Sequence, residues 1–304
     1  MSHPHPSAAA LAANRRGIIA MSVAMASFIV NDTLIKHVSE GLPGTQSIFL
    51  RGLFATAMVL AVSHGLGALR HWREFRHRPL IIRALLDAAA TLVYLTALFH
   101  MPIANATAIN MATPLLMTLM AVVWLGERVG TGRWLAIGAG FVGVLLVVQP
   151  RSEGFNAWAL LCVGGTVLHA LRDLYTRFVP ASVPSVLVTV STAVSVTLLS
   201  GTLTAFQGWE PVTGRQLALL AAAGAFLSGG YYLLVNSLRD GEMSVIAPFR
   251  YSGLLFALGL GYAVWGDVPN APAWSGIALL VAAGLYMLHH ERQRQRAALE
   301  AASD

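Results

Sequence analysis

Long apolar runs alternate with short polar segments along nearly the whole chain. Each run has roughly 20 residues, the length that an α-helix needs to cross the hydrocarbon core of a bilayer. The segments between the runs are too short to form a soluble domain, so the pattern predicts an all-α integral membrane protein. We predict ten membrane-spanning helices, at approximately residues 17–36, 43–66, 80–100, 103–125, 132–149, 157–178, 183–205, 217–237, 243–265 and 272–290.

The apolar pattern contains an internal repeat. Leu125–Glu127, which joins two runs, corresponds to Trp265–Asp267 about 140 residues later, and Asn31–Lys36 aligns with Arg172–Arg177 at nearly the same spacing. Because an acid and a base four residues apart recur in register with the repeated hairpin, we interpret the chain as two copies of one membrane unit.

The repeat divides the chain into four parts. The first repeat is predicted at residues 17–149 and the second at residues 157–290, and Pro150–Asn156 separates them. Residues 1–16 are expected to form a disordered cytoplasmic tail, and residues 291–304 a second cytoplasmic tail.

Basic residues are concentrated in alternate polar segments. If the N-terminus is cytoplasmic, most loop arginines lie on the cytoplasmic side, and the outer segments hold only Lys36, Arg151 and Arg215. Because basic loops favour the cytoplasm, both termini are predicted to be cytoplasmic. Five spans per repeat is an odd number, so the second repeat is expected to enter the membrane upside down. Inverted repeats of this kind are typical of secondary transporters, whose substrate site lies near the membrane midplane.

Composition supports the membrane class and excludes others. Only 11% of the residues are charged, against about 25% in a soluble domain, and 56% are hydrophobic. The net charge of +6 arises mostly from loop and terminal arginines, so no nucleic-acid partner is predicted. The single cysteine, Cys162, excludes an intramolecular disulfide and a cysteine metal cluster. No nucleotide or metal motif is present, so neither a cofactor nor a metal is expected.

Residues of both repeats resemble the signature of a known family. The resemblance is carried by Pro102, Ala106, Pro114, Leu125–Arg128, Trp134, Ala247–Tyr251 and Trp265–Asp267. This pattern is similar to that of the EamA family within the drug/metabolite transporter superfamily, and it covers roughly residues 17–290. The resemblance implies ten helices in two inverted five-helix repeats around a central cavity. Bacterial amino-acid exporters, riboflavin importers and S-adenosylmethionine carriers resemble the same pattern.

Charged residues inside the apolar runs are the main functional candidates, because a charge within a membrane span is costly. The charged candidates for substrate binding or gating are Asp32, Arg51, Asp87, Asp173 and Arg250. The polar and aromatic candidates on neighbouring runs are Tyr94, Asn110, Tyr231, Tyr232, Asn236 and Tyr251.

Each charged candidate also has a purely structural interpretation. Arg250 would form a permanent pair with Asp87, and Asp32 would satisfy Arg51. Lys36 shares a helix face with Asp32 and is expected to extend outward to the membrane surface.

Two further residues near these candidates are expected to be structural. Arg172 is expected to be interfacial, and His169 to be packed and neutral. The pairs Asp32–Lys36 and Asp173–Arg177 are predicted near opposite membrane surfaces, an arrangement suited to closing the two sides in turn.

The function predicted from these patterns is secondary transport of a small polar, zwitterionic or carboxylate-bearing metabolite. Export of an amino acid or its derivative across a bacterial inner membrane is the first interpretation, and uptake of a vitamin or nucleoside-like cofactor is the second. An intramembrane enzyme is a remote alternative, since no nucleophile–base or metal set is recognisable in the sequence. The lipid bilayer and a small-molecule substrate are the expected partners, and the chain is expected to be a monomer or a homodimer.

Overall fold

The computed structural model describes residues 8–126, 130–149, 156–180, 182–240 and 243–303. In this part of the chain every regular element is helical. Three short 3-10 helices lie at Ala68–Arg76, Thr176–Phe178 and Ala247–Tyr251. The α-helices are α1 (Ala8–Ser39), α2 (Gly44–Gly65), α3 (Arg78–Leu98), α4 (Ile103–Asn110), α5 (Thr113–Leu125), α6 (Thr131–Val148), α7 (Trp158–Tyr175), α8 (Ser185–Gln207), α9 (Gly214–Asp240), α10 (Met243–Ile246), α11 (Ser252–Trp265) and α12 (Ala271–Ser303).

Eight segments of the described chain are long and apolar enough to cross a membrane. They lie in α1, α2, α3, α4–α5, α6, α8, α9 and α12. The two remaining predicted spans correspond to α7, which carries Arg172 and Asp173, and to α10–α11, where α11 has only 14 residues. The all-helical membrane class is therefore confirmed, while the count of ten spans stays a prediction.

The terminal helices extend further than the sequence pattern predicts. The first helix begins at Ala8, so residues 8–16 of the expected disordered tail are helical. The last helix continues to Ser303, well beyond the predicted span end near residue 290. Glu127 and most of the predicted inter-repeat segment Pro150–Asn156 lie outside the described residues.

Two of the predicted spans are interrupted rather than continuous. The span predicted at 103–125 breaks at Met111 and Ala112, just before Pro114, and the span predicted at 243–265 passes through a 3-10 helix that contains Pro248. Proline has no N–H to donate to the preceding turn, which explains why both breaks occur beside one. Interrupted helices at membrane depth expose backbone groups, which is tolerated where they are buried in protein or line a cavity.

Corresponding helices of the two halves pack against each other in antiparallel pairs. In the α2–α8 pair, Thr45 donates to Gln207 at 2.6 Å, and the Thr56 and Thr197 hydroxyls are 3.0 Å apart. Residue numbers therefore increase along α2 in the direction in which they decrease along α8, so the two helices are antiparallel. The α6–α12 pair runs antiparallel in the same way, and so do α4 and α11, which belong to the two corresponding interrupted spans.

The remaining cross-half contacts exchange partners symmetrically. In the repeat, α1 corresponds to α7 and α3 corresponds to α9. Accordingly, α1 packs on α9, and α7 packs on α3. The contacts of α2 with α9 and of α3 with α8 are related in the same manner. Exchanging the two halves therefore reproduces the main helix contacts.

Glycines allow the closest of these approaches. A Cβ added at Gly143 of α6 would lie 2.9 Å from the Gly276 carbonyl oxygen of α12, and one added at Gly276 would lie 2.5 Å from the Gly143 carbonyl oxygen. A Cβ at Gly165 of α7 would lie 3.0 Å from the backbone of Tyr94 on α3. These approaches place the central helices close enough for side chains of both halves to meet.

Candidate functional site

One group of charged residues joins α3, α7 and α8, and we name it the Asp87 cluster. It consists of Arg83, Asp87, Arg172, Asp173 and Thr192. Asp87 is 2% exposed, and it accepts from Arg172 Nη1 at 2.6 Å and from the Thr192 hydroxyl at 2.9 Å. Arg83 lies 3.5 Å from Asp87 and donates to Thr192 at 2.7 Å, while Arg172 Nε donates to Asp173 at 2.9 Å. Two carboxylates and two guanidinium groups thus balance each other within one hydrogen-bonded network.

A second group joins α1, α2 and α3, and we name it the Asp32 cluster. It consists of Asn31, Asp32, Arg51 and Tyr94. The Asn31 amide donates to Asp32 at 2.8 Å, and Arg51 Nη1 donates to the Asn31 carbonyl oxygen at 3.3 Å. Asp32 interacts electrostatically with both Arg51 and Tyr94. Asp32 remains half-buried, whereas Arg51 is only 3% exposed and its Nε has no hydrogen-bond partner.

Tyr231 of α9 connects the two clusters. It lies near Arg51 of the Asp32 cluster and near Asp87, Arg172 and Arg83 of the Asp87 cluster. Its ring packs edge-on against Phe28 of α1, with the ring centroids 5.0 Å apart. Because Tyr231 is itself 36% exposed, the region between the clusters is not fully enclosed by protein.

Asn110 and His169 form a third polar contact beside the Asp32 cluster. The His169 Nδ1 and Asn110 Oδ1 atoms are 2.9 Å apart, and the His169 ring lies 5.6 Å from that of Tyr94. Asn110 ends α4 at the helix break, so its carbonyl oxygen is also available and accepts from Thr113 at 2.6 Å. The break therefore presents both an amide and a backbone carbonyl toward the central helices.

The remaining candidates lie at the margins of this region. Tyr232 is 63% exposed, Asn236 is half-buried and Arg250 is exposed. The Tyr251 hydroxyl packs against Gly284 of α12, where an added Cβ would lie 1.5 Å from it. The structure therefore brings together Asp32, Arg51, Asp87, Tyr94, Asn110, Asp173 and Tyr231, and it leaves the other four outside the two clusters.

The expected pairing of Arg250 with Asp87 is wrong. Among the described residues Asp87 is paired with Arg83 and Arg172, and Arg250 is not its partner. The Arg172 side chain is 17% exposed and contacts both acids of the cluster, while its expected place near the membrane interface stays a prediction. The internal repeat could have identified Arg172 as a member of the site. Arg172 aligns with Asn31, and each of the two donates a hydrogen bond to the aspartate that comes next in the sequence.

Lys36 is buried at one end of the central helices, and the expectation that it extends outward is wrong. It is 7% exposed, donates to the Met101 carbonyl oxygen at 2.5 Å, and lies 4.7 Å from the centre of the Trp265 ring. The Trp265 Nε1–H donates to Glu40 at 2.5 Å. These contacts join the ends of α1 and α11 to the start of α4, beside a recess of about 560 Å³.

Comparisons with known proteins agree with this architecture. The model of the EamA-like transporter family matches residues 15–149 and 156–288. A riboflavin transporter from Rhizobium johnstonii is 32% identical over 232 residues, or 76% of each chain. An S-adenosylmethionine uptake transporter from Rickettsia felis is 25% identical over 89% of this chain and 92% of its own.

Two further matches extend the range of relatives. A pseudopaline exporter from Pseudomonas aeruginosa is 24% identical over 88% of this chain and 94% of its own. A solved crystal structure is similar over 90% of this chain and 98% of its own, with a TM-score of 0.60 and 17% identity, which shows the fold alone. With both repeats matched, this multi-span membrane protein belongs to the EamA-like transporter family.

Proposed function

We propose that the chain is a secondary transporter that moves a small polar metabolite across a bacterial inner membrane by alternating access. The observation that carries this proposal is the meeting of charged side chains from both halves inside the membrane-spanning body, in the Asp32 and Asp87 clusters. Charges at that depth are costly, and Asp32 and Tyr231 keep part of their surface uncovered by other residues. Substrate sites of secondary transporters lie between repeats in this way.

The antiparallel packing of counterpart helices supports inverted repeats. A two-fold axis parallel to the helices would pair α2 with α8 in a parallel arrangement, whereas an axis in the membrane plane pairs them antiparallel. The α2–α8, α6–α12 and α4–α11 pairs all have the second arrangement. Together with the distribution of loop arginines, this supports ten spans with both termini in the cytoplasm.

The Lys36 contacts support closure at one end of the pathway. In the proposed orientation, Lys36 closes the periplasmic end by tying α1 to α4 and α11. Its repeat counterpart, Arg177, is exposed near the cytoplasmic end. The end near Lys36 is therefore closed while the end near Arg177 is more open. Such a difference between the two ends is expected for one state of an alternating-access cycle.

The substrate that best fits the Asp32 cluster is an amino acid or an amino-acid derivative. Asp32 offers a carboxylate to an ammonium group, and Asn31, Tyr94 and Asn110 offer neutral hydrogen-bonding groups around it. A second candidate is a metabolite with a planar heteroaromatic ring, such as a vitamin or nucleoside-like cofactor. The Phe28–Tyr231 and Tyr94–His169 ring pairs favour it, as do the names of the riboflavin and S-adenosylmethionine relatives.

Counterflow in proteoliposomes tests this proposal directly. Purified protein is reconstituted, and uptake of labelled L-methionine, S-adenosylmethionine and riboflavin is measured with each unlabelled compound trapped inside. We expect saturable uptake of at least one compound above protein-free liposomes, and loss of that uptake in Asp32→Leu. Trapped-substrate experiments in both orientations then decide the direction. Absence of protein-dependent uptake for all three compounds would contradict the proposed function in this form.

A further inference from the structure

We propose that Arg51 recognises a carboxylate group of the substrate, and that Asp32 recognises an ammonium group of the same molecule. The substrate class is then a zwitterion that carries both groups, as an α-amino acid moiety does. This inference rests on the proposed function and deepens it, because it assigns the charge selectivity of the site to one residue.

Arg51 differs in its bonding from Arg83 and Arg172, the two arginines of the Asp87 cluster. Within the described residues no carboxylate lies within ion-pair distance of it, although it is 3% exposed. Among the described residues, its one hydrogen bond is the 3.3 Å contact from Nη1 to the carbonyl oxygen of the neutral Asn31 amide, and the NH2 group of that amide donates to Asp32. A guanidinium group is always charged in a protein. Arg51 is therefore a permanent, buried cation with incomplete compensation.

Arg172 provides the internal comparison. It makes three contacts of 2.6–2.9 Å with two carboxylates, Asp87 and Asp173. The positive charge of Arg172 is therefore compensated by acids of the protein itself. Arg51 aligns with Thr192 in the repeat. Arg172 has Asp87 as an ion-pair partner, whereas Arg51 has no such acid among the described residues.

The geometry at Arg51 suits a carboxylate. Asn31 holds Nη1, and the unpartnered Nε belongs to the side-on edge of the guanidinium group, which binds a carboxylate through two parallel hydrogen bonds. Tyr231 lies near Arg51, which is itself buried. We expect the Tyr231 side chain to move when a carboxylate reaches the guanidinium group.

Asp32 restricts which anions are accepted. It lies close enough to Arg51 to interact with it electrostatically, so a simple anion at Arg51 would be repelled by the Asp32 carboxylate. An ammonium group on the same substrate removes that repulsion, because it pairs with Asp32. Asp32 is only half-buried, so part of its surface is accessible to such a group.

A stability comparison tests Arg51 without knowledge of the substrate. Arg51→Met and Arg172→Met are measured in detergent by thermal unfolding. Arg51→Met removes a poorly compensated charge, so its melting temperature is expected to equal or exceed that of the unmodified protein. Arg172→Met leaves Asp87 and Asp173 without their main partner, and a drop of roughly 6 °C or more is expected. A drop for Arg51→Met as large as that for Arg172→Met would make Arg51 a structural residue and overturn the proposal.

A transport comparison tests the carboxylate itself. The probes are two matched pairs, L-methionine with L-methioninamide, and S-adenosylmethionine with its decarboxylated form, and each pair differs only at the carboxylate. We expect the unmodified protein to prefer the carboxylate member of a transported pair by about 10-fold or more, the worth of one charge-assisted hydrogen bond. Arg51→Gln should abolish this preference, and Arg51→Lys should restore part of it.

The outcomes separate the inference from the function. Uptake that is equal within each pair, or a preference that survives in Arg51→Gln, overturns the role of Arg51 while transport itself stands. Saturable riboflavin uptake by the unmodified protein overturns the zwitterion class, because riboflavin has no carboxylate, while transport itself again stands. If the unmodified protein takes up none of the probes, the proposed function fails in its stated form, and the stability comparison alone decides whether Arg51 is structural.

Discussion

The Asp87 and Asp32 clusters are built around corresponding positions of α7 and α1, yet their charges are satisfied to very different degrees. Asn31 corresponds to Arg172 and Asp32 to Asp173, and the first member of each pair donates to the second at nearly the same distance, 2.8 Å and 2.9 Å. In the second repeat the donor is an arginine that also binds Asp87. In the first repeat it is an amide, and the arginine lies on the neighbouring helix as Arg51.

This difference shows how duplication can separate structure from function. The same helix framework holds both clusters, but only the Asp87 cluster has matched numbers of acids and bases in direct contact. A saturated network resists change because breaking it leaves a buried charge unpaired. An unsaturated cluster keeps bonding capacity that a substrate can use. We therefore assign stability mainly to the Asp87 cluster and recognition mainly to the Asp32 cluster.

The largest expected effect comes from removing the centre of the saturated cluster. Asp87→Leu leaves Arg83 and Arg172 buried without their common acid, so the free energy of unfolding should fall by about 3–5 kcal/mol. Thermal unfolding in detergent measures it, with the exposed Arg250→Gln as the control that should change little. Stability equal to that of the control would show that the saturated cluster does not hold the helices together.

Separating the helices that carry the two clusters should have a smaller effect. Gly165→Ala places a Cβ 3.0 Å from the backbone of Tyr94, so α7 must move away from α3, at a cost of about 1–3 kcal/mol. Gly164→Ala is the matched control, because a Cβ there meets nothing within 4 Å. The control should be neutral or slightly stabilising. Equal melting temperatures for the two variants would contradict close packing at Gly165.

A pair of conservative changes distinguishes the roles of the clusters. Thr192→Val removes the hydroxyl that bonds Asp87 and should lower the free energy of unfolding by about 1 kcal/mol while transport continues. Asn31→Leu removes the amide that orients Arg51 and should reduce transport about 10-fold, the equivalent of one hydrogen bond to a charged group. For both variants, counterflow measures the transport rate and thermal unfolding measures the stability. The distinction fails if Thr192→Val loses more transport than Asn31→Leu.

The smallest expected effect concerns the closed end of the pathway. Lys36→Gln keeps a donor for the Met101 carbonyl but loses the cation–π contact with Trp265, which is worth about 0.5–1 kcal/mol. The closed population should fall by a few-fold, and labelling of a cysteine introduced at Phe28 by a periplasmic reagent should rise accordingly. Arg177→Gln is the counterpart control and should not raise periplasmic labelling. An identical labelling rate in both variants would argue against closure by Lys36.

The membrane class, the repeat and the family could be predicted from the sequence because they depend on local patterns. Runs of about 20 apolar residues determine which segments can cross a bilayer, and the hairpin motifs Leu125–Glu127 and Trp265–Asp267 recur whatever the packing. The same patterns identified most members of the two clusters, since any charge within an apolar run is conspicuous. The antiparallel counterpart helices are consistent with the inversion that the odd number of predicted spans implies.

Only the tertiary structure decided which charges are paired. Asp87 could be assigned to Arg250 from depth alone, but its partner Arg172 is 85 positions away on a helix that Gly165 brings against α3. Lys36 could be expected at the surface from its side-chain length, but packing directs it inward to Met101 and Trp265. Spacing along a helix fixes which side chains share a face, whereas a contact between helices depends on their separation and rotation. Those are set by small residues at the crossings. For this reason the sequence could propose Arg51 as a site residue but could not reveal that, unlike Arg83 and Arg172, it has no acid at ion-pair distance among the described residues.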